Sequence, residues 1–335
     1  MVSIDEVARL AGVSTATVSR ALSGRGHVSA ASKERVRVAA EALGYVVSSR
    51  ASSLASGRTR NIGVIVPFLD RWFFSTLLSG VSSALMRAGY DITLYNITAD
   101  RDVRREVFAT ALRRQRVDAV IAVSIELDEE ETQQLLDLKM PVIAIGEPNP
   151  RLDTLTVDNE AVARLATEHL LGLGHRDIAH IGANPEFDLD FHIPTQRRQG
   201  FESTLEAAGI TPNPAFIEPA DFTVEGGYRA CKQLLGRPGR RPTAVFAASD
   251  EMAIGAVLAA RDLGYRVPED LSVVGIDGHE LGDFFRLTTV DQFPLGQGER
   301  AADAVLAHLD APDAPRTPLA LPFELHVRGT TARLA

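Results

Sequence analysis

The stretch Ser3–Leu22, SIDEVARLAGVSTATVSRAL, decides how this chain begins. Ser3 with Glu6 three positions later is a capping box, in which a hydroxyl and a carboxylate satisfy helix-end amides in both directions. Ile4, Val7, Ala8 and Leu10 recur at helical spacing, so a first helix is predicted from about Ile4 to Ala11. Gly12 supplies the turn, Val13 plugs the corner, and Ser14 caps a second helix carrying Thr15 to Leu22. Val18 and Leu22 face inward. Thr15, Ala16, Thr17, Ser19 and Arg20 face outward, a surface of small hydroxyl and methyl groups with one forked cation that fits a major groove. Ser29 caps a third helix, whose apolar stripe is Val36, Val38, Ala39, Ala42 and Leu43 and whose stop is Gly44.

Charge supports a nucleic-acid reading of this head. Residues 1–60 carry nine Arg or Lys against four Asp or Glu, net +5, and the whole chain is −9, which leaves −14 for the remainder. A small basic head on a large acidic body favours polyanion contact at the head alone. Hydroxyls and helix N-terminal amides at Ser3, Ser14 and Ser29 can reach phosphate oxygens; Arg20 can take a guanine edge bidentately, and a thymine methyl can pack on Thr15 or Ala16. The expected partner is double-stranded DNA.

Between head and body lies SSRASSLASGRT, residues 48–59, with Leu54 as its one large apolar residue. A helix over 48–56 is shorter than the roughly 12–15 residues at which isolated helices become marginal. Two copies side by side on a duplex change that balance: Arg50 and the serines meet phosphates, and each Leu54 wedges between base steps from the minor groove.

Asp5-Glu6-Val7-Ala8, Ala11-Gly12-Val13-Ser14, Thr17-Val18-Ser19-Arg20, Tyr45, Ala51 and Leu54 together resemble the lactose and galactose repressor (LacI/GalR) family. The resemblance implies that Leu54 is the intercalating hinge leucine and that Thr15, Ala16 and Arg20 sit at base-reading positions. Many relatives carry a proline shortly after the tyrosine, where this chain has Val46-Val47-Ser48.

After Arg60 apolar strands alternate with amphipathic helices, the pattern of parallel α/β architecture. NIGVIVP, YDITLYN, VDAVIAV and PVIAIG read as strands of one lobe, with helices near residues 74–88, 102–114 and 128–138. IAHIGA, AFIEPA, TAVFAAS and LSVVGID read as strands of a second, with helices near 159–171, 195–208, 225–235 and 251–263. The expected fold class is α/β: a three-helix helix-turn-helix domain over residues 1–47, a hinge helix and linker over 48–60, and a two-lobed Rossmann-like sensor over 61–335. Segments such as TVDNEAVARLATEHLLGLGHRDIAHIG and PTAVFAASDEMAIGAVLAARDLGYRVPEDLSVVGIDG extend the resemblance to the family's periplasmic-binding-protein-like body. It implies that lobe 1 takes about 61–158 and 292–318, and lobe 2 about 159–291 and 319–335, with a C-terminal strand near 319–327 in lobe 2.

Ligands in open α/β sheets bind beyond the carboxyl ends of strands, so side chains just after strands are the candidates. Trp72, Phe73 and Phe74 follow the first strand, Asp158 follows TLTV, Phe222 follows FIEPA, and Asp277 ends VVGID; Arg197 opens the helix of RRQGF. Phe74 reads as core, Trp72 as packing at the lobe seam, and Asp250 as an N-cap or a ligand contact. The resemblance places Phe73, Asp158, Arg197, Phe222 and Asp277 at effector-contact positions, with Asp190 and Phe191 in a variable loop nearby. A carboxylate, an arginine and aromatic faces suit a sugar or related polyol, and a purine or nucleobase stays open.

An enzyme needs a reactive constellation. GLGHRD precedes its strand, the wrong order for a dinucleotide loop; no Walker loop appears, and the eight histidines form no metal-ligand spacing. Neither a cofactor nor a metal is expected. A secreted solute-binding protein would leave residues 1–60 unexplained. Cys231, the only cysteine, and an N-terminus without signal-peptide features point to the cytoplasm, and no run approaches the roughly 20 apolar residues of a membrane span. The expectation is a homodimeric repressor on a near-palindromic operator, switched by a small molecule.

Overall fold

The computed structural model describes residues 2–23, 27–45, 58–97, 101–114, 117–146, 148–183, 192–312 and 318–334. The chain divides into two units, Met1–Asn61 and Ile62–Ala335. The predicted hinge helix over 48–56, with Arg50, Ala51 and Leu54, lies outside the described residues.

The first unit holds α1 (Ile4–Ala11), α2 (Thr15–Ser23) and α3 (Ala30–Leu43). Both bonds of the capping box form: Ser3 Oγ accepts from the Glu6 amide at 3.3 Å, and Glu6 accepts from the Ser3 amide at 2.7 Å. Gly12 and Gly44 end their helices with φ of 64° and 62°, values a side chain would strain. Val7, Val18 and Val36 are fully buried at the centre, with Leu22, Leu43 and Tyr45 packed around them. The α3 stripe differs from expectation. Ala39 and Ala40 join Val36 inside, whereas Val38 is 50% exposed, because two residues turn a helix by about 200°.

In the second unit the order is β1 (Asn61–Val66), α4 (Trp72–Arg87), β2 (Asp91–Asn96), α5 (Arg101–Glu106), β3 (Ala119–Val123), α6 (Glu129–Asp137), β4 (Val142–Ile145) and β5 (Asp153–Thr156). There follow α7 (Asn159–Gly172), β6 (Ile178–Ala183), α8 (Ile193–Ala207), β7 (Ile217–Ala220), α9 (Val224–Gly236), β8 (Ala244–Ala247), α10 (Asp250–Asp262), β9 (Ser272–Asp277), α11 (Gly282–Phe285), β10 (Thr288–Asp291), α12 (Pro294–Asp310), β11 (Leu319–Ala320) and β12 (Glu324–His326). After α5 the chain stays helical, through a wider turn at Val107–Ala111 and a tighter one at Leu112–Arg114, with Phe108 and Leu112 in the core.

Two six-stranded sheets result, ordered β11-β5-β4-β3-β1-β2 and β12-β10-β9-β8-β6-β7. Their central strands are apolar at nearly every position because both faces are covered. In β4, Ile143 and Ile145 pack with the core that α4 and α12 cover, while Val142 and Ala144 meet Phe108, Leu112 and Leu135. In β8, Val245 and Ala247 face the core of α9 and α10, and Ala244 and Phe246 that of α7.

The chain passes between lobes after β5, after β10 and after β11. The predicted single strand near 319–327 is corrected: Leu319–Ala320 pairs parallel with β5 in the first sheet, and Glu324–His326 pairs antiparallel with β10 in the second. Pro322, which has no amide to donate, stands at the break.

Candidate functional site

On the head, Thr15, Ala16, Ser19 and Arg20 are exposed on α2, and Thr17 is half-buried. Ser14 Oγ accepts from the Thr17 amide at 3.2 Å, and Ser29 Oγ from the Ser32 amide at 3.2 Å. The three predicted cap serines, Ser3, Ser14 and Ser29, therefore accept from helix-end amides while staying exposed at the surface. Arg20 Nε donates to the Ala16 carbonyl at 3.1 Å, which lays its stem along α2.

In the body a cleft opens where the carboxyl ends of both sheets meet. Phe68, Phe73, Phe74, Ser124 and Gly146 line it from the first lobe; Asn159, Arg197, Phe222, Glu251 and Asp277 line it from the second, and Gln292 and Gln297 from the crossover into α12. Ser124, Phe222 and Asp277 hold φ of 46°, 57° and 124°. Such backbone costs on the order of 1–3 kcal/mol each, and here it aims side chains into one cavity.

Arg197 is 5% exposed. Its Nε donates to Asn159 Oδ1 at 3.0 Å, its Nη1 donates to the Ala248 carbonyl, and Nη1 stands 3.8 Å from Asp277 Oδ1. Burial lowers its pKa, and the charges of Asp277 and Asp250 oppose that. Asp277 accepts from Gln292 Nε2 at 2.8 Å, and Gln297 Nε2 donates to the Gln292 carbonyl at 2.8 Å. Burial pushes the Asp277 carboxyl up to about 7, against the pull of Arg197. Asp250, fully buried, is also raised, by burial first and then by the charge of Asp277. The arrangement offers an oriented guanidinium, a carboxylate poised between its two forms, amide groups and phenylalanine rings. That is a chemistry of holding a small polar molecule. Among the described residues no group of three or more His, Cys, Asp or Glu could hold a metal ion.

Phe73, Arg197, Phe222 and Asp277 thus line the cleft. Asp158 plays a different part. It is exposed, and its Oδ1 caps α7 by accepting from the Ala161 amide at 2.8 Å, so that the next residue, Asn159, faces Arg197. Asp190 and Phe191 lie outside the described residues. Phe74, read as core, packs on the core and also lines the cleft. Asp250 is not the cap of α10; Ser249 is, accepting from the Met252 amide at 3.3 Å. Asp250 Oδ2 instead holds the amides of Gly278 and His279 at 3.0 and 2.7 Å. Gln292 and Asn159 escaped sequence reasoning, although Gln292 directly follows the aspartate that ends β10 and Asn159 directly follows the aspartate that caps α7.

A head with small hydroxyl groups and an arginine on the second helix of a helix-turn-helix, on the same chain as a two-lobed ligand cleft, defines a ligand-responsive DNA-binding regulator. Residues 3–48 match the bacterial regulatory proteins of the lacI family, and residues 167–331 match a periplasmic binding protein-like domain. The HTH-type transcriptional repressor PurR of Mannheimia succiniciproducens is 32% identical over 340 residues, covering 100% of both chains. A lac repressor dimer bound to operator and the anti-inducer ONPF superposes with a TM-score of 0.86 at 28% identity over 99% of each chain. The transcriptional regulator CelR in complex with cellobiose gives 0.71 at 30% identity, over 98% of this chain and 100% of that one. The chain belongs to the lacI family of bacterial regulatory proteins. It is a sequence-specific DNA-binding transcriptional regulator with an effector-binding domain.

Proposed function

We propose that the protein is a cytoplasmic homodimeric repressor, and not an enzyme, that reads a near-palindromic operator and responds to a sugar or related polyol. Ser3, Ser14, Ser29 and Arg50 contact phosphates, Thr15, Ala16, Thr17, Ser19 and Arg20 face the major groove, and Ala51 and Leu54 enter the minor groove from the hinge. Phe73, Arg197, Phe222 and Asp277 hold the effector, Asp158 contributes by capping α7 and so fixing Asn159, and Asp190 and Phe191 are further candidate effector contacts. Among the described residues no helix is long and apolar enough to cross a membrane.

The observation that carries the effector reading is the buried Arg197–Asp277 pair, oriented by Asn159 and Gln292 inside an aromatic-lined cleft. An ionised Asp277 accepts hydroxyl hydrogens, Arg197 donates to ring or hydroxyl oxygens, and the phenylalanines cover the apolar face of a sugar ring. The CelR complex holds cellobiose in a protein of the same architecture. A purine or nucleoside is the second reading, supported by the rings of Phe68, Phe73, Phe74 and Phe222 around one cavity, which suit a planar heterocycle.

A thermal-shift screen of monosaccharides, disaccharides and nucleobases, with and without operator DNA, tests both. Stabilisation by a sugar that disappears in Asp277→Ala is the expected result. A response to nucleobases alone selects the second reading, and a sugar response that survives Asp277→Ala moves the pocket elsewhere.

A further inference from the structure

The first turn of α4 carries neighbours with different surroundings. Phe73 lines the cleft, whereas the ring of Trp72 lies flat on that of His279 in the second lobe, with centroids 4.4 Å and planes 20° apart. His279 is 8% exposed, and its loop is held from behind. Asp250 Oδ2 accepts from the His279 amide at 2.7 Å, and the Leu281 amide donates to His279 Nδ1 at 3.0 Å. That acceptor role leaves the proton on Nε2 of a neutral ring, consistent with burial lowering the imidazole pKa. Glu251, one residue along α10, lines the same cleft; burial raises its carboxyl pKa, and the charge of Arg71 opposes that. The start of α10 therefore braces the histidine through Asp250.

The Trp72–His279 stack joins walls built on separate sheets, so any opening that parts those walls must break it. They also sit next to the ligand chemistry: Phe73 adjoins Trp72, and Asp277 lies two residues before His279. We infer that Trp72 and His279 form a latch across the cleft, as positioning residues that set how far the closed state is populated before any effector arrives. A molecule that binds the closed state then switches operator affinity at a concentration scaled by that population. This regulatory consequence rests on the effector reading above; the latch itself does not.

Hydrogen–deuterium exchange on the full chain without ligand tests the latch, comparing wild type, His279→Ala, Trp72→Ala and Trp72→Phe. Losing a stacked pair predicts roughly two- to tenfold faster exchange in the alanine variants. The rise falls in peptides covering residues 123–125 and 220–223, which line opposite walls, and Trp72→Phe, which keeps a stacking ring, stays near wild type. Trp72 is the only tryptophan, so in His279→Ala its emission also becomes more accessible to acrylamide. Faster exchange confined to residues 71–73 and 278–282, or equal loss in Trp72→Phe and Trp72→Ala, would overturn the inference. A failed screen of sugars and nucleobases would count against the effector reading and leave this result standing.

Discussion

Gly80 in α4 meets the carbonyl oxygen of Leu295 in α12 so closely that a β-carbon on the glycine would stand 2.0 Å from it. Gly298 repeats the arrangement in reverse, 2.0 Å from the Leu77 carbonyl oxygen. Two helix backbones that touch through paired glycines cannot slide or roll independently. Because α4 carries Phe73 and Phe74 and α12 carries Gln297, one wall of the cleft moves as a unit.

Gly80→Ala should therefore destabilise the body by about 1–3 kcal/mol, the usual cost of overpacking. Urea denaturation followed by circular dichroism measures it. An unchanged midpoint would mean that the helices separate freely and that the wall is not rigid.

Arg20→Ala should relax base preference more than it weakens binding, since a bidentate arginine–guanine contact discriminates by about 1–3 kcal/mol. Affinities for a set of operators varied one base pair at a time reveal the change. Unaltered preference at every position would remove Arg20 from the reading face.

Leu54→Ala should weaken operator binding by roughly ten- to a hundredfold, following the leucine burial it forfeits. Effector binding should stay close to wild type. Equal losses in both assays would point to damaged folding and away from a hinge contact.

The pH dependence follows from Asp277. Its carboxyl titrates near 7 when folded and near 4 in an unfolded chain, so the folded state binds more protons between those values. This group's contribution to stability therefore falls as pH rises from about 4 to 7 and levels off above. Effector binding runs the other way. Hydroxyls that donate to Asp277 need its ionised form, so affinity should rise by up to about tenfold per pH unit below 7 and flatten above it. Calorimetric titrations between pH 6 and 8 check this, with Asp277→Asn expected to lose the pH dependence; a flat wild-type profile would separate Asp277 from the effector.

Much of the molecule was legible along the chain. The Ser3–Glu6 box, the turns at Gly12 and Gly44 and the outward face of α2 all depend on residues within a turn of one another. The succession of strands after Arg60 could be anticipated because apolar runs covered on both faces have few alternatives. Besides the α3 stripe and the last strand, the sequence was ambiguous where two adjacent residues compete for one role. Asp158 or Asn159, and Ser249 or Asp250, are each plausible cap and ligand group by type, and only the approach of Arg197 and of the 278–279 loop separates them.

By itself the sequence determined a capped three-helix head with a small-residue reading face, an acidic two-lobed α/β body, and the strand-end positions where a ligand site would form. Caps, turns and hydrophobic alternation act over a few residues and leave their mark in composition and spacing. Only the tertiary structure decided that Pro322 splits the last strand between two sheets, that Gln292 orients Asp277 from the crossover, and that Trp72 closes on His279. Those relations join segments from 15 to about 200 residues apart, and no local spacing encodes a distance that exists only once both sheets are packed.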